Sequence, residues 1–373
     1  SATSQHFPRG CRALWPTDTR KDLLMTDEIR ICRLHAKGDL RVETETPTDP
    51  GPGEVSIAIG AGGICGSDMH YWHDGGIGTI RVQEPIILGH EAAGRVVALG
   101  EGVGTLSAGD LVSINPSHPC GDCTFCNRGL ANQCSNMRFF GSAMYLPHAQ
   151  GLFRDRVTLG AKQCHKLHGD VTVAEAACAE PLAVCLHAAG VAGDIEGKRV
   201  LVTGAGPIGV LMTAVAAANG ASEIVTTDLQ DLPLEVARRM GAHSVVNAMS
   251  DQNGLQPWKV DKGQFDMVFE CSAAAPAIAQ AVECLRPRGR FIQVGSAGPT
   301  AVPLNLLVGK EIVVLGSFRF DEAEFAEAVE AIGARRIDVR PVITGSWPVS
   351  EAEDAFAIAS DRTQSVKVHL TFD

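Results

Sequence analysis

Cys65 lies in the run Gly62-Gly63-Ile64-Cys65-Gly66-Ser67-Asp68-Met69-His70, and Gly89-His90-Glu91 follows a short distance on. A thiolate and an imidazole are good zinc ligands, and a carboxylate can be a third. A catalytic zinc keeps three protein ligands and one open position. The expectation is a zinc on Cys65 and His90, completed by Glu91 or by a more distant glutamate. Glu180 is the distant candidate. With Pro181 it interrupts the helical, apolar stretch Ala174–Val184; it is either a helix-end glutamate in solvent or a buried carboxylate, which needs a partner such as a metal or its water. For Cys65 alone, a buried free thiol beside a solvated His–Glu pair would fit as well.

A second cluster is tighter. Cys120-Gly121-Asp122-Cys123-Thr124-Phe125-Cys126 is followed by Cys134. Thiolates at these spacings can wrap one tetrahedral ion, and Gly121 and Gly129 allow the turns this requires. A closed structural zinc is expected. The same four thiols could mark a nucleic-acid module, but no Lys/Arg stripe accompanies them and the net charge is −11.

A third element has the pattern of a phosphate-binding turn. The strand-like run Lys198–Thr203 enters Gly204-Ala205-Gly206-Pro207-Ile208-Gly209 and continues into a helical stretch, Val210–Asn219. This is G-x-G-x-x-G between strand and helix. Its glycines allow a tight turn, backbone approach to a pyrophosphate and close helix–strand packing, while the helix N-terminus attracts the anion. A second strand, Glu223–Thr227, ends in Asp228, an acid placed to accept from the ribose hydroxyls and to repel a 2′-phosphate. With no cation at Leu229 or Gln230, NAD is favoured over NADP.

These residues need elements to hold them. From about Ile29 to Leu167 the chain reads as short strands and turns, among them Glu54–Ile59, Gly94–Gly100 and Ser107–Ile114, giving a mostly β lobe. From Lys198 to Gly316 strands alternate with helices, which implies a parallel sheet covered on both faces. The helical stretch Glu322–Ile332 and the strand Ser365–Thr371 are expected to return to the first lobe. Arg319, between Phe318 and Phe320, is either a surface charge or faces the crevice to bind an anionic or polyhydroxyl substrate. Met137–Tyr145, the densest aromatic stretch, is either core or pocket wall.

The chain has 373 residues, 45% hydrophobic and 20% charged. That suits a globular protein of two domains. The acidic balance argues against nucleic acid and anionic membrane as partners. The most apolar window, Val200–Asn219, is broken by the glycine-rich turn and is not a membrane span. Residues before Met25 carry no apolar signal region, and 1–25 reads as an N-terminal extension. Twelve cysteines without such a signal suit the cytoplasm and free thiols.

Taken together, the motifs resemble the zinc-dependent medium-chain alcohol dehydrogenase superfamily, in its polyol (sorbitol-type) branch. The residues that carry this are Gly63–Tyr71, Leu88–Gly94, the four-cysteine lobe, Ala179–Val184 and Gly204–Gly209 with Asp228. The resemblance implies an α/β protein in which a GroES-like, mostly β catalytic domain (26–179 and 320–373) carries an inserted Rossmann domain (180–319). It implies two zincs per chain, NAD with NADP as the lesser choice, and a homo-tetramer or dimer. Cys65, His90 and Glu91 would hold the catalytic zinc, with Glu180 holding its water or exchanging with it. Cys120, Cys123, Cys126 and Cys134 would hold the structural one. Ser67 would meet the reacting hydroxyl and pass its proton outward, with Tyr71 or His70. Gly204, Gly206, Pro207, Ile208, Gly209 and Asp228 would bind the cofactor, and Arg319 would line the pocket.

Three further stretches, Ile114–Cys120, Asn132–Tyr145 and Gly316–Phe320, resemble members of the branch that act on L-idonate. They imply oxidation at C5 to 5-keto-D-gluconate, with Arg319 or Arg138 pairing the substrate carboxylate. A neutral polyol (sorbitol, xylitol or L-arabinitol) and an amino alcohol such as threonine are alternative substrates. A nucleotide-sensing or zinc-binding protein without turnover is the alternative outside the enzymes.

Overall fold

The computed structural model describes residues 28–296 and 298–372. The predicted extension, 1–25, lies outside them. β1 (Ile29–Ala36) and β2 (Asp39–Glu45) form an antiparallel pair with Ile29 opposite Glu45. β3 (Glu54–Gly63) is buried along almost its whole length. The alternation expected at Glu54–Ile59 is lost because strands flank β3 on both sides and the helix Val173–Ala177 lies over it.

α1 (Gly66–Asp74) starts at the end of β3. The sequence predicts only strands and turns here, so this helix is a correction. Its buried residues are Asp68 and Tyr71, and a stripe containing an aspartate gives no apolar period. Asp68 is buried because it takes the backbone N–H of Cys65 at 2.9 Å and of Gly89 at 3.2 Å. It thereby ties the two halves of the first motif together.

β4 (Ile86–Ile87) pairs with β1. β5 (Glu91–Leu99), β6 (Leu111–Ile114), β7 (Arg156–Gly160) and β8 (Cys164–Lys166) build a sheet on β3. α2 (Val173–Ala177) and α3 (Ala179–Ala192) follow. The sequence places the helix break at Glu180-Pro181, whereas the structure places it at Cys178. Pro181 sits in the first turn of α3, where its missing N–H has no intrahelical acceptor to lose.

The second sheet is parallel. β9 (Arg199–Thr203), β10 (Glu223–Asp228), β11 (Ser244–Asn247), β12 (Phe265–Glu270), β13 (Leu285–Gln293) and β14 (Val313–Gly316) lie in the order β11-β10-β9-β12-β13-β14. Both faces are covered. Val200 and Val202 join a core with α3 and α4 (Pro207–Ala218), while Leu201 joins one with α6 (Ala275–Cys284). α5 (Asp231–Arg239) and α7 (Leu304–Gly309) complete this part. The strand order reverses at β9, which is where such sheets bind ligands.

After β14, α8 (Glu322–Gly333) shares the core of α3 through Phe325, Val329 and Ile332. β15 (Ile343–Pro348), α9 (Ala352–Ser360) and β16 (Lys367–Thr371) then rejoin the first sheet. β16 runs antiparallel to β3, with His369 opposite Gly63. That sheet reads β8-β6-β5-β3-β16-β15, with β7 also on β3.

Candidate active site

Cys65 follows the last residues of β3, and His90 and Glu91 lie at the start of β5. Because β3 and β5 pair with Gly63 opposite Glu91, the three side chains converge. Their donor atoms lie within 4.8 Å of one another. Gly63 is required here, since a Cβ on it would collide with Glu91 Oε2. Burial, reinforced by Glu91, pushes the Cys65 thiol up to about 12. A cation among these donors is what would let the thiolate form, so the set fits a zinc.

Lys367 is a participant the sequence reading missed. Its ammonium is buried and donates to Glu91 Oε1 at 2.7 Å, Glu91 Oε2 at 2.6 Å and the Ile64 carbonyl at 3.1 Å. All three of its protons are used. The available signal was a lysine inside the apolar run Val366–Leu370.

Glu180, in the first turn of α3, is buried near these donors but outside the group that lies within 4.8 Å. Burial pushes its carboxyl up to about 8; Glu91 and Cys65 add to this, while His90 and Lys367 oppose it.

Ser67 lies in the first turn of α1, two residues beyond Cys65, and its side chain acts weakly against burial on the Cys65 thiol. The Tyr71 hydroxyl is buried and accepts the Ala143 N–H at 3.2 Å. His70 is exposed and pairs with Asp74 at 2.9 Å, so the structure does not bring it to the donor set. Phe139 packs against His90 with ring centroids 5.4 Å apart. The Arg319 guanidinium lies 4.8 Å above the Phe139 ring and 4.9 Å from that of Phe318. Burial lowers the Arg319 pKa and Glu180 opposes it. Arg319 is thus half-buried against two rings rather than a free surface charge. Arg138 turns to the Pro147 carbonyl at 2.7 Å.

The four-cysteine lobe closes on itself. Its sulfurs lie within 4.8 Å of one another, Cys134 to Cys120 at 3.4 Å and Cys123 to Cys134 at 3.9 Å. A tetrahedron of thiolates about 2.3 Å from zinc has edges of about 3.8 Å, whereas a disulfide is about 2.05 Å long. Backbone N–H groups of Cys120 and Asn136 point at Cys134 Sγ, at 3.2 and 3.3 Å.

Gly204 is left-handed, with φ 82°. A Cβ on Gly209 would collide with the Gly204 carbonyl, so α4 can approach the strand only with glycine there. Pro207 takes the first position of α4, next to Ile208. At the end of β10, Asp228 accepts the N–H groups of Ala205, Leu229 and Gln230 at 2.6, 2.7 and 3.1 Å. The turn and the acid beside it fit a dinucleotide.

Two family models match: the alcohol dehydrogenase GroES-like domain over residues 51–169 and the zinc-binding dehydrogenase over 207–334. The chain is 40% identical over 330 residues to L-idonate 5-dehydrogenase (NAD(P)(+)) of Escherichia coli K12, spanning 88% of this chain and 95% of that protein. It is 35% identical over 328 residues to human sorbitol dehydrogenase, spanning 87% and 90%. The crystal structure of the Escherichia coli L-idonate 5-dehydrogenase superposes with a TM-score of 0.87 at 39% identity, covering 92% of this chain and 98% of that one. With both family models matched and these relatives covered over most of their length, the chain belongs to the zinc-binding alcohol dehydrogenase family of oxidoreductases.

Proposed function

We propose that this enzyme interconverts L-idonate and 5-keto-D-gluconate, with NAD preferred and NADP accepted. In this reading Cys65, His90 and Glu91 hold a catalytic zinc, with Glu180 as the exchanging donor, and Cys120, Cys123, Cys126 and Cys134 hold a structural one. Residues 26–179 and 320–373 form the catalytic domain, and 180–319 the dinucleotide domain. Bound zinc would supply a Lewis acid for the C5 hydroxyl, and bound nicotinamide the hydride acceptor. Oxidation removes the hydroxyl proton and the C5 hydride, leaving a ketone. Ser67 Oγ takes the proton and passes it outward. Tyr71 fixes the Ala143 segment of the pocket wall, and its own O–H remains available to extend that relay. Gly204, Gly206, Pro207, Ile208, Gly209 and Asp228 position the dinucleotide.

The observation that carries the choice of a sugar acid is the Arg319 guanidinium stacked on Phe139, itself packed against His90. A carboxylate needs such a partner and a neutral polyol does not. The relatives named for sorbitol support the neutral polyol as the second reading. A buried Glu180 facing a Cys–His–Glu set speaks against a sensor without turnover.

The test is a spectrophotometric panel of L-idonate, D-gluconate, sorbitol, xylitol and L-threonine with each cofactor. Strong turnover of sorbitol with none of idonate rejects the proposal.

Self-association, as a tetramer or a dimer, is supported by exposed apolar side chains along the edge: Val313 and Val314 of β14 with Leu304 and Val308 of α7. Light scattering decides it. A cytoplasmic setting is supported by the free thiols of all eleven described cysteines. No described helix is long and apolar enough to cross a membrane.

A further inference from the structure

Arg362 belongs to the connection between α9 and β16, in the first lobe, but its guanidinium lies over the glycine-rich turn of the second. A Cβ placed on Gly206 would come within 3.0 Å of Arg362 Nη1. Nη2 is 3.7 Å from Asp228 Oδ2, too long for a hydrogen bond. Nε and Nη2 are both buried and have no hydrogen-bond acceptor. Asp228 does not serve them: its Oδ2 accepts the Ala205 N–H at 2.6 Å and stays beyond hydrogen-bond reach of Nη2.

The connection that carries Arg362 is held in shape. Asp361 accepts the Thr363 N–H at 2.9 Å, the Thr363 hydroxyl at 2.6 Å and the Gln364 amide at 2.5 Å. The Ser365 hydroxyl donates to the Ile358 carbonyl at 2.7 Å. The guanidinium is thus presented on a fixed loop with unused donors.

A half-exposed guanidinium whose buried Nε and Nη2 lack an acceptor calls for an anionic partner, and its planar fork matches a phosphate. The second glycine of the turn, which it overlies, is where the backbone approaches a pyrophosphate at the N-terminus of α4. We propose that Arg362 binds the pyrophosphate of the dinucleotide, as a cation from the catalytic lobe closing over the glycine-rich loop. This rests on the reading of Gly204–Gly209 as the cofactor site. Both cofactors and any fragment that keeps the pyrophosphate share this contact, and it does not select between NAD and NADP.

The test is calorimetric titration of the zinc-loaded protein with NADH, NADPH and adenosine diphosphoribose, for the unsubstituted chain, Arg362→Ala and Arg362→Lys. Arg362→Ala is expected to raise Kd for all three by a similar factor, about tenfold or more. Arg362→Lys should recover part of the loss, and the salt dependence of NADH binding should become shallower in Arg362→Ala. Thermal unfolding of each variant reports whether it is folded, and Arg362→Lys carries the comparison if the alanine variant is not. Kd values within twofold of the unsubstituted chain for all three ligands overturn the proposal. So does a loss confined to NADPH, which would assign Arg362 to the 2′-phosphate. If the unsubstituted protein binds none of the three, the dinucleotide reading itself fails.

Discussion

Lys367 and Glu91, 276 residues apart in sequence, form a two-fold hydrogen-bonded ion pair with side-chain exposures of 1% and 2%. The pair ties the C-terminal strand to the Cys65–His90–Glu91 set and balances the charge of Glu91. Removing one partner of a buried pair leaves an uncompensated charge, at a cost of about 3–5 kcal/mol. Lys367→Met should therefore destabilise the metal-free protein by about that much. A zinc at the site would then be the remaining counter-charge for Glu91, so the gap in Tm between metal-free and zinc-loaded forms should widen. Unfolding curves of both forms check this. An unchanged metal-free Tm would show that the pair contributes nothing.

Metal content separates the two cysteine-containing sites. Cys126→Ser leaves three thiols in the lobe, too few for a closed tetrahedron. It should lower bound zinc by about one ion per chain and lower Tm, since structural zinc binding is folding free energy. Cys65→Ser should also lose about one ion, with activity abolished and Tm reduced less. If both variants keep the zinc content of the unsubstituted protein, neither cluster holds metal.

What could be read in advance depended on how local the signal was. The turn Gly204–Gly209 and the cluster Cys120–Cys134 each lie within one short span, and their residue types encode the geometry directly. The alternation of strands and helices from Lys198 to Gly316 reads the same way. Lys367 could not be placed so. Its meaning comes from the pairing of β16 with β3, a contact between chain ends that no periodicity reports. α1 was hidden for a different reason: its buried face is built on Asp68, whose burial is explained by the N–H groups of Cys65 and Gly89. Cys178, not Pro181, ends α2 because proline in a first turn costs no hydrogen bond.

Arg319 gives the substrate prediction. With its guanidinium over Phe139, it is the carboxylate partner in the proposed reading. Arg319→Ala should lower kcat/KM for L-idonate by about 10- to 100-fold, the value of a charge-assisted hydrogen bond. Turnover of neutral polyols, if any, should change little. Steady-state kinetics on both substrate types check it, and equal losses on both would assign Arg319 to structure.

Glu175, outside the Cys65–His90–Glu91 group, makes stability depend on pH. Its side chain is 2% exposed and ion-paired to Arg335. It also accepts the Thr172 N–H at 2.8 Å and the Thr172 hydroxyl at 2.7 Å at the start of α2. Burial alone would raise its pKa, but Arg335 and Thr172 outweigh burial and hold the carboxyl below its ordinary value. A group whose folded pKa is depressed adds stability above its unfolded pKa and loses it as pH falls through the folded value. The contribution should therefore be complete from neutral pH down to about 5 and fade in more acidic solution. Glu175→Gln removes the charge at every pH. Its Tm should lie below that of the unsubstituted protein between pH 6 and 8 (values chosen about two units above the ordinary carboxylate range), and the difference should shrink as pH drops below about 4. A difference that stays constant into acid would mean that the ion pair with Arg335 is not what stabilises this end of α2.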